Sequence, residues 1–349
     1  MTINGRKIRV LIVDDSAIVR KILTEAISAE TDLEVVGTAP DPFIARDKVL
    51  ALKPDVLTLD IEMPRMDGLT FLKKLMHYHP LPVIVISSLG QSSCEATLQA
   101  LQSGAVEVLA KPAGPYSVGD LRMSLAAKVR AAAASRISRE IETLPQNDAA
   151  PEPPSRNFDQ STIIAIGAST GGTEAIHKVL TRMPAGSPAI VITQHIPPVF
   201  SAAFAKRLNA ACAIEVKEAA DGDTLHPGLA LLAPGNFHLV VRRTGDSYRV
   251  EVKDGPLVCY QRPSVDVMFT SVADATKGKA VGALLTGMGS DGAQGLLEMK
   301  KAGATTVVQD EASCVVFGMP KEAIRLGAAD HVLPLGQMAS AILTKAALV

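Results

Sequence analysis

Short apolar runs alternate with amphipathic stretches along the first third of the chain. Five of these runs, at residues 8–13, 34–38, 56–59, 82–87 and 106–109, have the length and β-branched composition of buried strands. Each is followed by a stretch with helical spacing of apolar residues. Five successive βα units predict an open, parallel α/β sheet in this region.

The same alternation returns in the second half of the chain, with strands expected at 162–166, 189–193, 229–233, 281–285 and 305–308 and a hairpin within 237–252. Between the two halves, a stretch rich in proline and polar residues has almost nothing to bury, as an exposed linker does. The sequence therefore predicts a first domain at 6–127, a linker at 128–159, and a second, mostly parallel, doubly wound α/β domain at 160–349.

Composition narrows the classes of function. The 349 residues carry 35 Lys and Arg against 36 Asp and Glu, with only 3% aromatic residues and no Trp, so a nucleic-acid partner is not expected. The four cysteines lie far apart, which favours reduced thiols. No apolar run approaches the length of a bilayer span, and the first is too short for a signal peptide. We expect a cytoplasmic protein without direct membrane insertion.

Polar residues follow the strands of the first domain at the edge where ligands bind in open α/β sheets. Asp14 and Asp15 follow the first strand, Asp60 the third, Ser87 the fourth and Lys111 the fifth. Three converging carboxylates would repel one another unless Mg²⁺ or the lysine offset their charge, and such a set could make Asp60 a phosphoryl acceptor. The alternative is that these residues only cap helices and begin turns.

These residues belong to motifs that resemble the response-regulator receiver domain, over about residues 6–127. The motifs are Asp14-Asp15-Ser16, Asp60-Ile61-Glu62-Met63-Pro64, Asp67-Gly68, Ser87-Ser88 and Lys111-Pro112. The resemblance implies a flavodoxin-like (βα)5 fold and phosphorylation of Asp60 by a histidine kinase of the chemotaxis type. It also implies Mg²⁺ on Asp15, Asp60 and the Glu62 carbonyl with Asp14 nearby, and a phosphoryl switch made by Ser87 and Lys111. Val108 departs from the family, since many receivers carry an aromatic residue there.

A second candidate site begins in the pattern Gly167-Ala168-Ser169-Thr170-Gly171, between an expected strand and an expected helix. A G-x-S-x-G turn exposes a serine hydroxyl at the helix N-terminus, as a nucleophile requires. A phosphate-binding glycine turn and a plain strand-to-helix junction remain alternatives. The chain lacks the Gly-Lys-Ser/Thr sequence of a phosphate-binding loop, which weakens the first alternative.

A serine nucleophile needs a base and an orienting carboxylate. His195 follows the strand expected at 189–193, and Asp291 lies in the glycine-rich turn after the strand expected at 281–285. Taken alone, Asp291 could simply cap the next helix. Because all three residues follow parallel strands, we expect Ser169, His195 and Asp291 to meet at one edge of the sheet. His226 and His238 lie in expected loops, where exposure to solvent is the default, and are held as substrate-side or structural residues.

The second domain resembles the CheB-type chemotaxis methylesterase domain from residue 160 to about 347. The motifs are Gly167-Ala168-Ser169-Thr170-Gly171-Gly172, Gln194-His195-Ile196-Pro197, Ala233-Pro234-Gly235-Asn236, Arg262-Pro263-Ser264-Val265-Asp266, Gly287-Met288-Gly289-Ser290-Asp291-Gly292 and Phe317-Gly318-Met319-Pro320-Lys321. The resemblance implies hydrolysis of glutamate γ-methyl esters on methyl-accepting chemoreceptors, with deamidation of certain receptor glutamines, in chemotaxis adaptation. It implies no cofactor for this domain.

The same resemblance assigns Ser169, His195 and Asp291 as nucleophile, base and orienting acid. It places the oxyanion donors among backbone N–H groups near Thr170, His195 and Met288. Residues 259–261, Cys-Tyr-Gln, stand where the family carries a histidine before Arg262.

Two competing functions are disfavoured. A response regulator with a DNA-binding output would carry a basic helix-turn-helix, and a nucleotide-dependent enzyme would carry a phosphate-binding lysine loop. For the favoured function we expect the tethered first domain to cover the catalytic edge until Asp60 is phosphorylated, so that removing residues 1 to about 150 would raise basal activity.

Overall fold

The computed structural model of the chain describes residues 6–88, 90–111, 117–135 and 158–347. Contacts between Cα atoms divide the chain into two compact units, residues 1–144 and 145–349. Most of the predicted linker lies outside the described residues, as does Pro112. Among the helices that the structure describes, none is both long and apolar enough to cross a membrane.

The first unit contains a five-stranded parallel sheet. Its strands are β1 (Ile8–Val13), β2 (Leu33–Ala39), β3 (Val56–Asp60), β4 (Val83–Ser87) and β5 (Glu107–Ala110). They lie in the order β2-β1-β3-β4-β5. The five predicted strands are confirmed with this flavodoxin-like order, and the direction of winding reverses between β1 and β3.

Five helices connect and follow these strands: α1 (Ala17–Ser28), α2 (Pro42–Leu52), α3 (Gly68–Tyr78), α4 (Gln91–Gln102) and α5 (Ser117–Ala133). The last helix continues past residue 127, where the sequence placed the end of the domain. Within the continuation, the Arg130 guanidinium donates to both carboxylate oxygens of Asp32, at 2.9 and 2.6 Å. This bidentate pair ties the end of α5 to the residue that precedes β2 in the first unit.

The second unit is built on a seven-stranded sheet in which every described pair of strands is parallel. The strands are β6 (Ile163–Ala168), β7 (Ala189–Gln194), β8 (Glu215–Glu218), β10 (Leu229–Leu232), β13 (Ala280–Leu284), β14 (Thr305–Gln309) and β15 (His331–Leu333), in the order β15-β14-β13-β6-β7-β10-β8. The sequence did not predict β8 and β15. Both are edge strands whose polar residues hide the apolar pattern of a buried strand.

A smaller antiparallel sheet joins β9 (Thr224–Leu225), β11 (His238–Thr244) and β12 (Ser247–Lys253), in the order β11-β12-β9. Strands β11 and β12 are the predicted hairpin. The helices of this unit are α6 (Gly172–Leu180), α7 (Phe200–Ala211), α8 (Val265–Thr276), α9 (Ala293–Lys301), α10 (Met319–Arg325) and α11 (Leu335–Ala346). Helix α6 contacts α7 and α11, whereas α8 contacts α9 and β11.

The order of the large sheet places its reversal of winding between β6 and β13. The chain proceeds from β6 towards β7 and β10, and it later returns to form β13 on the other side of β6. Ligands of open α/β sheets bind at the carboxyl ends of strands beside such a reversal. Ser169 directly follows β6, and Asp291 lies in the loop after β13.

Candidate functional site

The first unit gathers three carboxylates at its own reversal of winding. Asp14 and Asp15 follow β1, Asp60 ends β3, and one oxygen of each lies within 4.8 Å of the others. Asp14 and Asp60 are buried, whereas Asp15 is exposed. Lys111, just after β5, extends its ammonium to both buried carboxylates.

Hydrogen bonds satisfy this cluster only in part. Asp60 accepts from the Glu62 backbone N–H at 3.0 Å and from Lys111 Nζ at 2.6 Å. Burial nevertheless dominates and raises the pKa of Asp60 to about 6, although Lys111 opposes the shift. Asp14 Oδ2 lies 3.2 Å from Lys111 Nζ, and within the described part of the chain this buried oxygen is left without a hydrogen bond.

A hard divalent cation fits this donor set. Mg²⁺ prefers oxygen ligands, and an unsatisfied carboxylate oxygen beside two further carboxylates offers it a coordination site. The Glu62 carboxylate faces elsewhere, since it accepts hydrogen bonds from the Ser88 and Ser93 hydroxyls. A role for Glu62 in metal binding would therefore use its backbone carbonyl, as predicted.

The predicted switch residues occupy the neighbouring strands. Ser87 ends β4 beside β3 and is fully buried, and its hydroxyl donates to the Ser88 carbonyl at 3.4 Å. Val108 is buried in β5, so this chain has a small aliphatic side chain at the position of the receiver aromatic.

The second unit brings Ser169, His195 and Asp291 together. Ser169 Oγ lies 3.0 Å from His195 Nδ1, and His195 Nε2 lies 2.7 Å from Asp291 Oδ2. Ser169, His195 and Asp291 retain 7%, 7% and 2% of their exposure, so the line of contacts is largely shielded from water. This is the arrangement of a nucleophile, a base and an orienting carboxylate.

The local backbone explains why the serine sits at this edge. Gly171, at φ +75°, turns the chain from β6 into α6 at a conformation that L side chains rarely adopt. The Ser169 carbonyl accepts from the Gly172 N–H at 2.7 Å and from Gln194 Nε2 at 2.8 Å. Gly167 lies so near helix α8 that a Cβ would come within 2.2 Å of Val265 Cγ1.

Asp291 is held at the N-terminus of α8. Its Oδ1 accepts from Ser264 Oγ at 2.7 Å and from the Asp266 N–H at 3.1 Å. Its Oδ2 accepts from the Val265 N–H at 2.7 Å in addition to His195. Burial acts to raise the pKa of Asp291, but the hydrogen bonds and charge of its partners outweigh burial and lower it. The alternative of capping the following helix does not hold, since Gly292 is the N-cap of α9.

Of the three predicted oxyanion donors, the structure contradicts one and leaves two as predictions. The His195 backbone N–H donates to the Ala168 carbonyl at 3.1 Å, which contradicts its assignment as a donor to substrate. His195 continues the pairing of β7 with β6, so its N–H already donates a hydrogen bond within the sheet. Thr170 lies in the loop after β6 and Met288 in the loop after β13, and their roles stay predictions.

Two polar residues near the triad have roles that the sequence did not predict. Gln194 is buried and donates through Nε2 to the carbonyls of Ser169 and His195. Thr286 Oγ1 donates to the Thr170 carbonyl at 3.0 Å and accepts from the Val316 N–H at 3.0 Å. The available signal for both was a polar residue at, or within two residues of, the end of a strand that is mostly apolar.

His238 differs from its expectation. It lies in β11, retains only 5% of its exposure, and bonds through both ring nitrogens. Residues 259–261 form a tight turn closed by a bridge between Val258 and Gln261. Cys259 Sγ there contacts Asp266 Oδ2 at 3.7 Å. Cys259, Asp266 and Asp291 cluster within 4.8 Å, but the two oxygens of Asp291 already accept four hydrogen bonds.

Comparison with known proteins agrees with both units. Residues 164–342 match the family model of the CheB methylesterase, and residues 10–120 match that of the response regulator receiver domain. A protein-glutamate methylesterase/protein-glutamine glutaminase of Syntrophus aciditrophicus is 56% identical over 337 residues, covering 96% of this chain and 98% of the relative. The enzyme of the same name from Salmonella typhimurium is 51% identical over 341 residues, covering 97% of each chain.

A solved structure agrees as well. The crystal structure of the Thermotoga maritima CheB methylesterase catalytic domain superposes with a TM-score of 0.52 at 36% sequence identity. The match covers 52% of this chain and 97% of that one.

Proposed function

The chain belongs to the CheB methylesterase family, and we propose that it hydrolyses glutamate γ-methyl esters of chemoreceptors with Ser169, His195 and Asp291 as its catalytic triad. The enzyme is a protein-glutamate methylesterase and protein-glutamine glutaminase with a receiver domain, and it acts in chemotaxis adaptation. The unbroken line of contacts from Ser169 Oγ through the His195 ring to Asp291 is the observation that carries the proposed triad.

The chemistry follows from the geometry. His195 Nδ1 takes the Ser169 proton as Oγ attacks the ester carbonyl, and Asp291 stabilises the imidazolium through Nε2–H. When the C–O bond breaks, Nδ1–H gives its proton to the departing methoxide, and methanol leaves. Water, deprotonated by the same nitrogen, then hydrolyses the acyl-serine to free the receptor glutamate and restore Ser169. An amide substrate would release ammonia in place of methanol.

Backbone N–H groups of Thr170 and Met288 are proposed to stabilise the oxyanion of the tetrahedral intermediate. Thr170 directly follows Ser169 in the loop after β6, and Met288 lies in the loop after the neighbouring strand β13. Donors fixed in the backbone need no rearrangement when charge develops, so they favour the transition state over the substrate.

Receiver domains take a phosphoryl group on an aspartate in the presence of Mg²⁺, and we assign Asp60 as the acceptor here. Asp14, Asp15, Asp60 and the Glu62 carbonyl would hold the ion, which supplies charge neutralisation for the phosphoryl oxygens. Lys111 lies 2.6 Å from Asp60 and would pair with the transferred group. Ser87 would donate its hydroxyl to it. A histidine kinase of the chemotaxis type is the proposed phosphodonor.

Phosphorylation is proposed to raise esterase activity by shifting an equilibrium between covered and open arrangements of the catalytic edge. The receiver precedes the esterase in one chain, so it acts at high effective concentration without great intrinsic affinity.

The test is methanol release from methylated receptor membranes, with and without acetyl phosphate, by three proteins. Ser169→Ala should lose about 10⁶-fold in turnover, because the nucleophile is gone. Asp60→Asn should keep its basal rate and lose the response to acetyl phosphate. Ser161→Ala is the matched control, since Ser161 lies just before β6 and bonds to Asp159. A Ser169→Ala protein with near-normal turnover would refute the triad.

A further inference from the structure

A second series of hydrogen bonds, outside the triad, connects His238 and Ser264 to Asp291. Ser264, which is fully buried, donates its hydroxyl to Asp291 Oδ1 at 2.7 Å. The same hydroxyl oxygen accepts from the Val267 N–H at 3.4 Å and so caps helix α8. A hydroxyl has one hydrogen, and the capping contact leaves that hydrogen for Asp291.

The Ser264 backbone is fixed in turn by His238. The Ser264 N–H donates to His238 Nδ1 at 3.2 Å, and His238 Nε2 lies 2.9 Å from the Pro256 carbonyl oxygen. Because a carbonyl only accepts and a backbone N–H only donates, His238 must be neutral with its hydrogen on Nε2. Only this tautomer satisfies both partners.

We propose that Ser264 is a positioning residue that sets the orientation of Asp291, and that His238 positions Ser264. This inference rests on the proposed esterase function. The contacts link the Pro256 loop, through His238, Ser264, Asp291 and His195, to the nucleophilic hydroxyl. Neither Ser264 nor His238 touches the reacting atoms, so both act through Asp291.

Geometry indicates what the Ser264 hydroxyl adds. Without it, Oδ1 keeps only the Asp266 N–H, whose contact is the longest of the four at 3.1 Å. The carboxylate could then rotate about the remaining bonds and weaken its 2.7 Å contact with His195 Nε2. Catalytic groups need a fixed orientation in the transition state, whereas substrate binding does not depend on a fully buried serine. The loss should therefore fall on kcat and leave KM unchanged.

The test compares kcat, KM and the thermal midpoint for Ser264→Ala and Ser271→Ala in the full chain, with methanol release as the assay. Ser271 is the matched control, because it is a buried serine of α8 whose hydroxyl bonds Val241 N–H and the Met268 carbonyl, away from Asp291. Ser264→Ala should lose roughly tenfold to a hundredfold in kcat, less than removal of the carboxylate itself. Ser271→Ala should lose stability without this loss in kcat.

Two variants of His238 test the second step. The carboxamide oxygen of His238→Asn can replace Nδ1 as acceptor for the Ser264 N–H, whereas the carboxamide nitrogen of His238→Gln can replace only Nε2 as donor to Pro256. Both variants lose the ring and part of its packing. We expect His238→Asn to keep a kcat several-fold above that of His238→Gln, with similar KM values.

The outcomes separate the two proposals. If Ser169→Ala is inactive while Ser264→Ala keeps a kcat within twofold of the parent, the positioning inference is wrong and the esterase mechanism stands. A Ser264→Ala defect confined to KM would also overturn it. If Ser264→Ala fails to fold, the ratio between the His238 variants decides, and equal kcat values would refute the role of His238. If Ser169→Ala remains active, the proposed function itself has failed.

Discussion

The two units carry buried aspartates in equivalent places with opposite surroundings. Asp60 ends β3 and Asp291 lies in the loop after β13, and each of these strands borders the reversal of winding in its sheet. Asp60 shares its site with two other carboxylates and accepts from one backbone N–H and one lysine. Asp291 accepts four hydrogen bonds, from Ser264, Val265, Asp266 and His195.

The different surroundings of the two aspartates shift their pKa values in opposite directions. Burial raises the pKa of Asp60 to about 6, while the donors around Asp291 overcome burial and lower its pKa. A carboxylate saturated with donors is a fixed negative charge, suited to orienting an imidazole. One with few donors remains open to a metal ion or a phosphoryl group. The donor count around a buried carboxylate thus distinguishes an orienting role from a reactive one.

Among changes to the two contrasted carboxylates, the largest expected effect comes from neutralising Asp291. Asp291→Asn should lower kcat by about 10⁴-fold, because the neutral amide neither holds the His195 imidazole in the required tautomer nor stabilises the imidazolium that forms. The NH2 group of the asparagine would also face hydrogen-bond donors at the start of α8, where the carboxylate oxygens accept. Methanol release under saturating substrate measures the effect, with Asp274→Asn, an exposed aspartate of the same helix, as control. A loss below tenfold would mean that donor saturation does not mark the orienting role.

The sequence predicted the positions that depend on strand ends. Ser169, His195 and Asp291 lie far apart along the chain, and a parallel sheet forces residues after neighbouring strands to one edge. The same rule located Asp14, Asp15 and Asp60. It could not assign Ser264 or Gln194, because their roles depend on which buried partner a side chain meets after folding.

Other errors have local causes. His238 was expected in a loop because glycine and proline residues surround it, yet β11 begins at that residue and buries it. Strands β8 and β15 lack an apolar pattern because each borders solvent at a sheet edge. The backbone N–H of His195 was assigned to substrate from a resemblance alone, and the register of β6 with β7 shows that it is in use.

A smaller effect is expected from Mg²⁺ binding to the aspartate cluster of the first unit. Mg²⁺ at a hundred times its dissociation constant should stabilise the first unit by about 2.7 kcal/mol, since the ion binds only the folded cluster. Amide hydrogen exchange distinguishes the units: protection should rise in β1 and β3 and stay unchanged in β6 and β13. Asp14→Asn should lose most of the gain, and matched ionic strength with KCl is the control. Equal protection in both units would contradict a specific site.

The smallest expected effect concerns the titration of Asp60. Since the pKa of Asp60 is raised from 3.8 to about 6, the folded chain between these values binds a proton that the unfolded chain has released. This stabilising contribution is therefore present at pH 5 and lost as pH rises through the folded pKa. In the presence of EDTA, the free energy of unfolding of the parent minus that of Asp60→Asn should be about 1 kcal/mol larger at pH 5 than at pH 7.

Urea unfolding of both proteins at the two pH values measures this difference. The subtraction matters because other carboxylates of the unit, such as Asp41 and Asp67, have lowered pKa values and lose their stabilising contribution only as pH falls below about 4. Asp41 and Asp67 remain ionised at both pH values, so their contributions to the free energy of unfolding cancel when the two proteins are subtracted. A difference that stays flat between pH 5 and pH 7 would show that Lys111 satisfies Asp60 as fully as four donors satisfy Asp291, and the contrast between the two carboxylates would then lie in position alone.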